Sequence, residues 1–231
     1  MLTAAQCGAL GLDPSLLFAR LPEPKKTALA VSGGGDSLAL MLLYAAWCQD
    51  LARKPEAIIY TVDHGLRPAA ADEAKLVASH AESLGFRLRI LRWTGDKPSS
   101  RLQERAREAR YRLMADAMGG DGAEVLVTAH HLDDQAETVL MRMAHGSGIK
   151  GLGGMRPLEQ ANGIMLARPL LGVSRHQLAG IVALAGWSAV DDPSNADRRY
   201  ERVRWRQAMA ELSELAGEQR LAPRRKPRAG G

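Results

Sequence analysis

Residues 32–37, Ser-Gly-Gly-Gly-Asp-Ser, stand between an apolar run and a Leu-rich segment, and this placement narrows what the chain can become. Residues 27–31 (TALAV) read as a short buried strand, and residues 38–47 as a helix that is apolar on more than one side. A glycine-rich turn from strand to helix leaves backbone N–H groups unpaired at the positive end of the helix dipole, where an anion can sit. The turn has neither the Lys of the G-x-x-x-x-G-K-[ST] loop nor the spacing of G-x-G-x-x-G. It carries Asp36 instead. A carboxylate inside an anion-binding turn is costly for phosphate alone, and sensible if a divalent cation travels with the phosphate. An ordinary connection, with Ser32 as N-cap and Asp36 in the first helical turn, is the alternative from local physics.

Strand-like and helix-like segments alternate beyond this point. Residues 57–62 read as a strand, 69–84 as a helix, 86–93 as a strand, 101–118 as a helix, 124–128 as a strand and 132–144 as a helix. Such alternation predicts an α/β fold with a doubly wound, mainly parallel sheet, whose ligands lie beyond the carboxyl ends of the strands. Each of three strands ends in a polar cluster: 32–37, then Asp63-His64-Gly65-Leu66-Arg67, then Ala129-His130-His131-Leu132-Asp133-Asp134. The three clusters should meet in one crevice. After Gly146 the sequence reads as a glycine-punctuated loop ending in Arg168-Pro169-Leu170-Leu171. A capped helix over 174–187, a turn at 191–195 and a last helix from about Tyr200 follow, forming a helical C-terminal extension. Residues 1–216 read as one domain, with its core over about 25–145 and an extension over about 146–216.

The chain has 231 residues, and a net charge of +5 that is unevenly placed. Residues 217–231 set Arg220, Arg224, Arg225, Lys226 and Arg228 against Glu218, which leaves only +1 for all the rest. This basic tail has no apolar pattern and is expected to be disordered. No apolar run reaches membrane-spanning length, and no signal-peptide pattern opens the chain, so a cytoplasmic protein without a membrane partner is expected. Cys7 and Cys48 form no C-x-x-C pair, and so predict neither a disulfide framework nor a thiolate metal site.

Asp133, Asp134 and Glu137 start the 132–144 helix on the side away from its apolar stripe. Acids there can simply complement the helix dipole. His131, Asp134 and Glu137 could instead ligate a metal, and Asp134 with Glu137, three residues apart, could share one amine. In the 101–118 helix, Arg105, Arg107, Arg110 and Arg112 alternate with Glu104 and Glu108, a pattern of a solvated face from which one or two arginines could clamp phosphate. Arg198, Arg199, Arg202, Arg204 and Arg206 crowd nine residues near the end, which suits either solvation or RNA contact.

Ser-Gly-Gly-x-Asp-Ser is the loop of the PP-loop ATP pyrophosphatases, and the whole set of blocks resembles the bacterial tRNA(Ile)-lysidine synthetase family. The matching runs are 32–37, Val62-Asp63-His64-Gly65-Leu66-Arg67, Ala106-Arg107-Glu108-Ala109-Arg110-Tyr111, and 130–138. Gly146-Ser147-Gly148-Ile149-Lys150-Gly151-Leu152, Arg168-Pro169-Leu170-Leu171 and Asp192-Pro193-Ser194-Asn195 complete it in family order. The resemblance implies a carbon–nitrogen ligase that adenylates the wobble cytidine of a tRNA(Ile) with a CAU anticodon, using ATP and Mg²⁺, and then joins L-lysine to it. It implies Asp36, Arg110 and Asp134 in catalysis, with Ser32, Gly33, Gly34, Gly35, Asp36, Ser37, Asp63 and His64 at ATP. Asp36 would hold Mg²⁺, Asp134 and Glu137 would bind lysine, and Arg107, Arg202, Arg204 and Arg206 would meet phosphate or tRNA. His145 stands where many members have Arg, Ser100-Arg101 replaces a common Gly-Asn, and Val203 replaces a common Asn. Members usually continue into C-terminal regions that help hold tRNA. Another PP-loop tRNA-modifying enzyme, or an inactive copy that only binds adenine nucleotides, are the alternatives. The oligomeric state stays open, a homodimer included.

Overall fold

Successive side chains of a strand face opposite sides of the sheet, and apolar residues stand on both sides of this one, so two cores form on it. The computed structural model describes residues 1–22, 26–51, 55–63, 65, 70–94, 102–148, 153–161, 163–190, 201, 203–209 and 211. Two short helices, α1 (Ala4–Gly8) and α2 (Pro14–Phe18), lead into β1 (Lys26–Ala30) and α3 (Gly35–Gln49). Then come β2 (Glu56–Asp63), α4 (Ala70–Ser83), β3 (Arg87–Arg92), α5 (Leu102–Asp121), β4 (Val125–Val127) and α6 (Leu132–Ala144). A hairpin of β5 (Leu158–Ala161) and β6 (Ile164–Ala167) precedes α7 (Arg175–Leu184). Residues 203–209 are helical.

The sheet order is β3-β2-β1-β4-β6-β5, parallel throughout except for β5, which runs antiparallel to β6 at the edge. Leu29, Ile59, Val125 and Val127 join the core under α3, α4 and α7, while Ala28, Ile58, Tyr60 and Leu126 face Tyr111, Met114 and Met118 of α5 on the other side. Helices therefore cover both faces, as the doubly wound expectation requires.

Helix α3 explains its own all-round apolar sequence. Every residue from Leu38 to Ala46 is buried, because the helix lies between the sheet on one side and α2 and α7 on the other. Phe18 of α2 stacks on Trp47 at 5.2 Å between ring centroids and meets Tyr44 edge-on at 5.4 Å. The N-terminal helices were not among the sequence expectations, although Thr3 with Gln6 forms a capping box and Asp13 caps Pro14 at the first helical position.

One expectation is corrected. Residues 158–167 are a hairpin that adds two strands to the sheet, not part of a loop. Ala161 pairs with Ile164, and Gly163 just before Ile164 has φ +76°, a left-handed conformation that suits glycine. Asn-Gly between apolar runs is a strong hairpin signal, and Ala161-Asn162-Gly163-Ile164 contains it. The strands are only four residues long, so their alternation was too brief to stand out. Helix α6 also holds the approach to the hairpin. Gln135 Nε2 donates to Met155 O at 2.9 Å, Met155 N–H donates back to Gln135 Oε1 at 2.6 Å, and Arg142 donates to Gly154 O at 2.9 Å.

The strand order reverses direction between β1 and β4, so the loops after these two strands part and leave a crevice at their carboxyl ends. Residues 32–37 follow β1, and residues 128–134 follow β4. The topology brings two of the three polar clusters to one place.

Candidate nucleotide and substrate site

The turn after β1 is open at its helical end. The N-cap of α3 is Gly34, and no side chain caps the first turn, which corrects the reading of Ser32 as a cap. Ser37 instead folds back across the turn. Its Oγ accepts from the Ser32 N–H at 3.1 Å and donates to Gly34 O at 2.8 Å. Gly33 has φ +88°, and a Cβ there would lie 3.2–3.3 Å from methyls of Val190 and Val77. The Val190 N–H donates to Gly33 O at 3.0 Å, so residues just after α7 lie across the turn. The helix start is thus held open and rigid towards the crevice, the condition for anion binding.

A cavity of about 630 Å³ lies beyond this turn, and it gathers most of the anticipated residues. Ser32, Gly34, Gly35, Asp36 and Ser37 line one side, and Asp134 and Arg206 another. Arg107 and Arg110 reach it from α5, with their guanidinium carbons 5.2 and 5.7 Å from the Tyr111 ring centre. Ala30, Val31, Val62 and Met114 give it an apolar part that a planar base can occupy.

The acidic helix start surrounds a buried histidine. His131, 1% exposed, is the N-cap of α6, and its Nδ1 accepts from the Asp133 N–H at 3.2 Å. In that neutral form the proton sits on Nε2, which lies 3.3 Å from Asp36 Oδ2 and 3.5 Å from Asp134 Oδ2. Nε2 thus faces both carboxylates at the outer edge of hydrogen-bond distance, without an aligned bond to either. Burial alone would lower the His131 pKa, but the neighbouring Asp36 and Asp134 outweigh it and raise the value. Asp36 responds in the opposite sense. Burial works against its charge, yet His131, Arg175 and Arg206 hold its carboxyl below the usual range. Arg175 Nη2 stands 3.6 Å from the same Asp36 oxygen, and its backbone N–H donates to Asp133 Oδ2 at 2.9 Å. The start of α7 is therefore fastened to the start of α6. Sequence reading did not assign Arg175 a role, and gave His131 only a metal-ligand reading. The adjacent Ser174 cap, which fixes where α7 begins, was the available signal for Arg175.

Two residues anticipated for different ligands pair with each other. Glu137, 0% exposed, accepts from Arg206 Nε at 2.8 Å and Nη2 at 3.4 Å. Burial opposes the Arg206 charge, but Glu137, Asp134 and Asp36 outweigh that cost and raise its pKa. Asp63 lies off the cavity lining, with its Oδ1 accepting from the Gly65 N–H at 2.8 Å in a local turn. Arg204 is exposed and is likewise not on the lining. His64, Arg202, the 191–195 turn and the 217–231 tail lie outside the described residues. Both cysteines are buried, and neither lines the cavity. Among the described residues no helix is long and apolar enough to cross a membrane.

An uncapped anion-binding turn facing an acidic helix start, across the switch point of a parallel sheet, defines a nucleotide-handling α/β domain. Accordingly, the chain belongs to the PP-loop domain family, which matches residues 15–212. More particularly, it is 51% identical over 197 residues to the tRNA(Ile)-lysidine synthase of Rhodopseudomonas palustris, covering 85% of this chain and 57% of the relative. It is 52% identical over 188 residues to that of Methylobacterium nodulans, covering 80% of this chain and 53% of the relative. The chain thus spans just over half the length of these relatives. Among solved structures, the U34-tRNA thiolase NcsA of Methanococcus maripaludis has the same fold, with a TM-score of 0.74 at 15% identity, over 97% of this chain and 82% of that one.

Proposed function

We propose that this chain carries the chemistry of a tRNA(Ile)-lysidine synthetase. In the first step O2 of the wobble cytosine, in a tRNA(Ile) with a CAU anticodon, attacks the α-phosphorus of ATP. The bond to the bridging oxygen breaks and pyrophosphate leaves. In the second step the amine of L-lysine attacks C2, the C2–O bond breaks, and AMP departs with the bonding electrons. One observation carries the reading: an uncapped, glycine-built helix start and the carboxylates of Asp36 and Asp134 face one cavity, in a chain half identical over its matched length to relatives of that name.

The residues divide between the two steps. Backbone N–H groups of the 32–37 turn take the pyrophosphate, helped by the α3 dipole. Arg110, with Arg107 beside it, stabilises charge on the phosphate in transfer. Asp134 and Glu137 receive the lysine ammonium, and Asp134, which lines the cavity, accepts the proton that the amine must lose to attack. Arg202, Arg204 and Arg206 contact the tRNA, and Asp63 and His64 border the adenosine side, Asp63 by shaping the turn after β2 through Gly65 rather than from the cavity wall. Asp36 meets His131 and Arg175 through Oδ2 and lines the cavity, and a carboxylate placed beside substrate phosphates suits Mg²⁺. Bound there, Mg²⁺ would neutralise phosphate charge. The buried positions of Cys7 and Cys48 weigh against sulfur transfer through cysteine. Such a reaction belongs to the cytoplasm, where tRNA and ATP are found.

The test is incorporation of labelled lysine into a tRNA(Ile) CAU transcript with Mg-ATP, with the CAU-bearing methionine tRNA as control. Incorporation into the isoleucine transcript alone supports the proposal. ATP–pyrophosphate exchange on an anticodon stem-loop without incorporation limits the chain to adenylation, and silence in both assays overturns it.

A further inference from the structure

The seat proposed for the lysine ammonium is already filled by a cation of the protein itself. Glu137 is completely buried, and the guanidinium of Arg206 lies on both of its oxygens, at 2.8 and 3.4 Å. The Arg206 side chain is 28% exposed and lines the cavity, whereas Glu137 does not. Glu137 therefore sits behind Arg206 as seen from the cavity. Asp134, 16% exposed and one turn earlier on the same helix, does line it. A buried carboxylate without a cation is strongly unfavourable, so a site built to hold an ammonium needs a substitute while it is empty.

Resting on the assignment of Asp134 and Glu137 to the amine, we propose that Arg206 is a resident surrogate for the substrate ammonium, and that lysine entry displaces it from Glu137. The exchange keeps one positive charge on Glu137 throughout. It also releases a guanidinium into a cavity expected to hold phosphate groups, where its planar pair of donors suits them. Lysine and the anionic substrates are then coupled. Lysine frees Arg206 for phosphate, and phosphate that draws Arg206 away vacates Glu137 for lysine, a reciprocity required by linkage.

The surroundings give the displaced residue a defined path. Arg206 belongs to the helical stretch 203–209, and a second pair, His145 Nε2 with Glu201 Oε1 at 2.9 Å, joins the start of that region to the end of α6. Residues 137 and 145 pair with 206 and 201, so the two elements run antiparallel. Loss of the Arg206–Glu137 pair frees one end while the His145–Glu201 pair retains the other. Trp205 lies beside Arg206 and donates from Nε1 to Glu201 at 3.3 Å, so it reports motion there.

The experiment titrates the chain with free L-lysine, without nucleotide or tRNA, by calorimetry and tryptophan fluorescence. The exchange predicts that R206Q binds lysine about tenfold more tightly than wild type, because the competitor is gone, while E137Q binds none. It also predicts a lysine-induced fluorescence change in the wild-type chain that W205F loses. If R206Q is poorly folded, the wild-type fluorescence change and a larger lysine-induced rise in Tm for R206Q carry the same information. Unchanged or weaker lysine binding by folded R206Q overturns the exchange, making Glu137 only a support for Arg206. If wild type still incorporates lysine in that case, the proposed reaction stands. Absence of both lysine binding and incorporation in wild type overturns the two together.

Discussion

Gly33 is required both for its φ of +88° and for the contacts its missing side chain permits. Gly33→Ala is expected to cost about 1–3 kcal/mol for strain in the left-handed region, and to lower adenylation further by shifting the turn. Thermal melts and pyrophosphate exchange measure the two effects separately. His131 and Asp36 make the site pH-dependent in a definite sense. The folded pKa of His131 lies above its ordinary 6.5, so its stabilisation is full below 6.5 and fades as pH rises through the folded value. Asp36 is shifted below 3.8, so its contribution is full above 3.8 and is lost only as pH falls through the folded value. Stability measured across pH 5 to 9 should therefore fall towards alkaline pH in wild type, and this component should vanish in H131N. An identical profile in the variant would remove His131 as the source. These residues were legible to different degrees. Asp36 and Asp134 stand in recognisable runs, but the meeting of His131 with Asp36, ninety-five positions away, depends on strands β1 and β4 being neighbours.

At the scale of elements, α6 does more than carry the acids. Gln135 exchanges two hydrogen bonds with Met155 and thereby ties the helix to the approach of the β5–β6 hairpin. Gln135→Ala removes both, with an expected loss of about 1–3 kcal/mol, and amide exchange should quicken at residues 153–157. The Ser174–Gln177 capping box fixes the start of α7 and so the place of Arg175. Ser174→Ala should cost about 1 kcal/mol and weaken the apparent affinity for nucleotide more than for lysine. Helices α3, α6 and α7 were legible because capping residues and apolar runs are local. Helices α1 and α2 were harder to see, being five residues each and held in place chiefly by contacts such as Phe18 on Trp47.

At the scale of the whole molecule, the parallel strands point their carboxyl ends to one side, and the reversal between β1 and β4 selects where on that side the site opens. Charge is distributed separately from this architecture, since four of the five net positive charges belong to residues 217–231. Deleting those residues should leave lysine binding and adenylation of a stem-loop intact, while the salt slope of tRNA affinity shrinks by up to about three units. An unchanged slope would mean that the tail makes no backbone contacts.

Local sequence carries the alternation of strands and helices, the glycine turn with its acid, and the acidic start of α6, because turn chemistry, capping and periodicity act over a few residues. Packing alone sets Glu137 against Arg206, turns Asp63 into its own loop, and stands His131 between carboxylates from two elements. Those outcomes depend on strand order and helix packing, which bring together residues tens of positions apart and which no local pattern encodes.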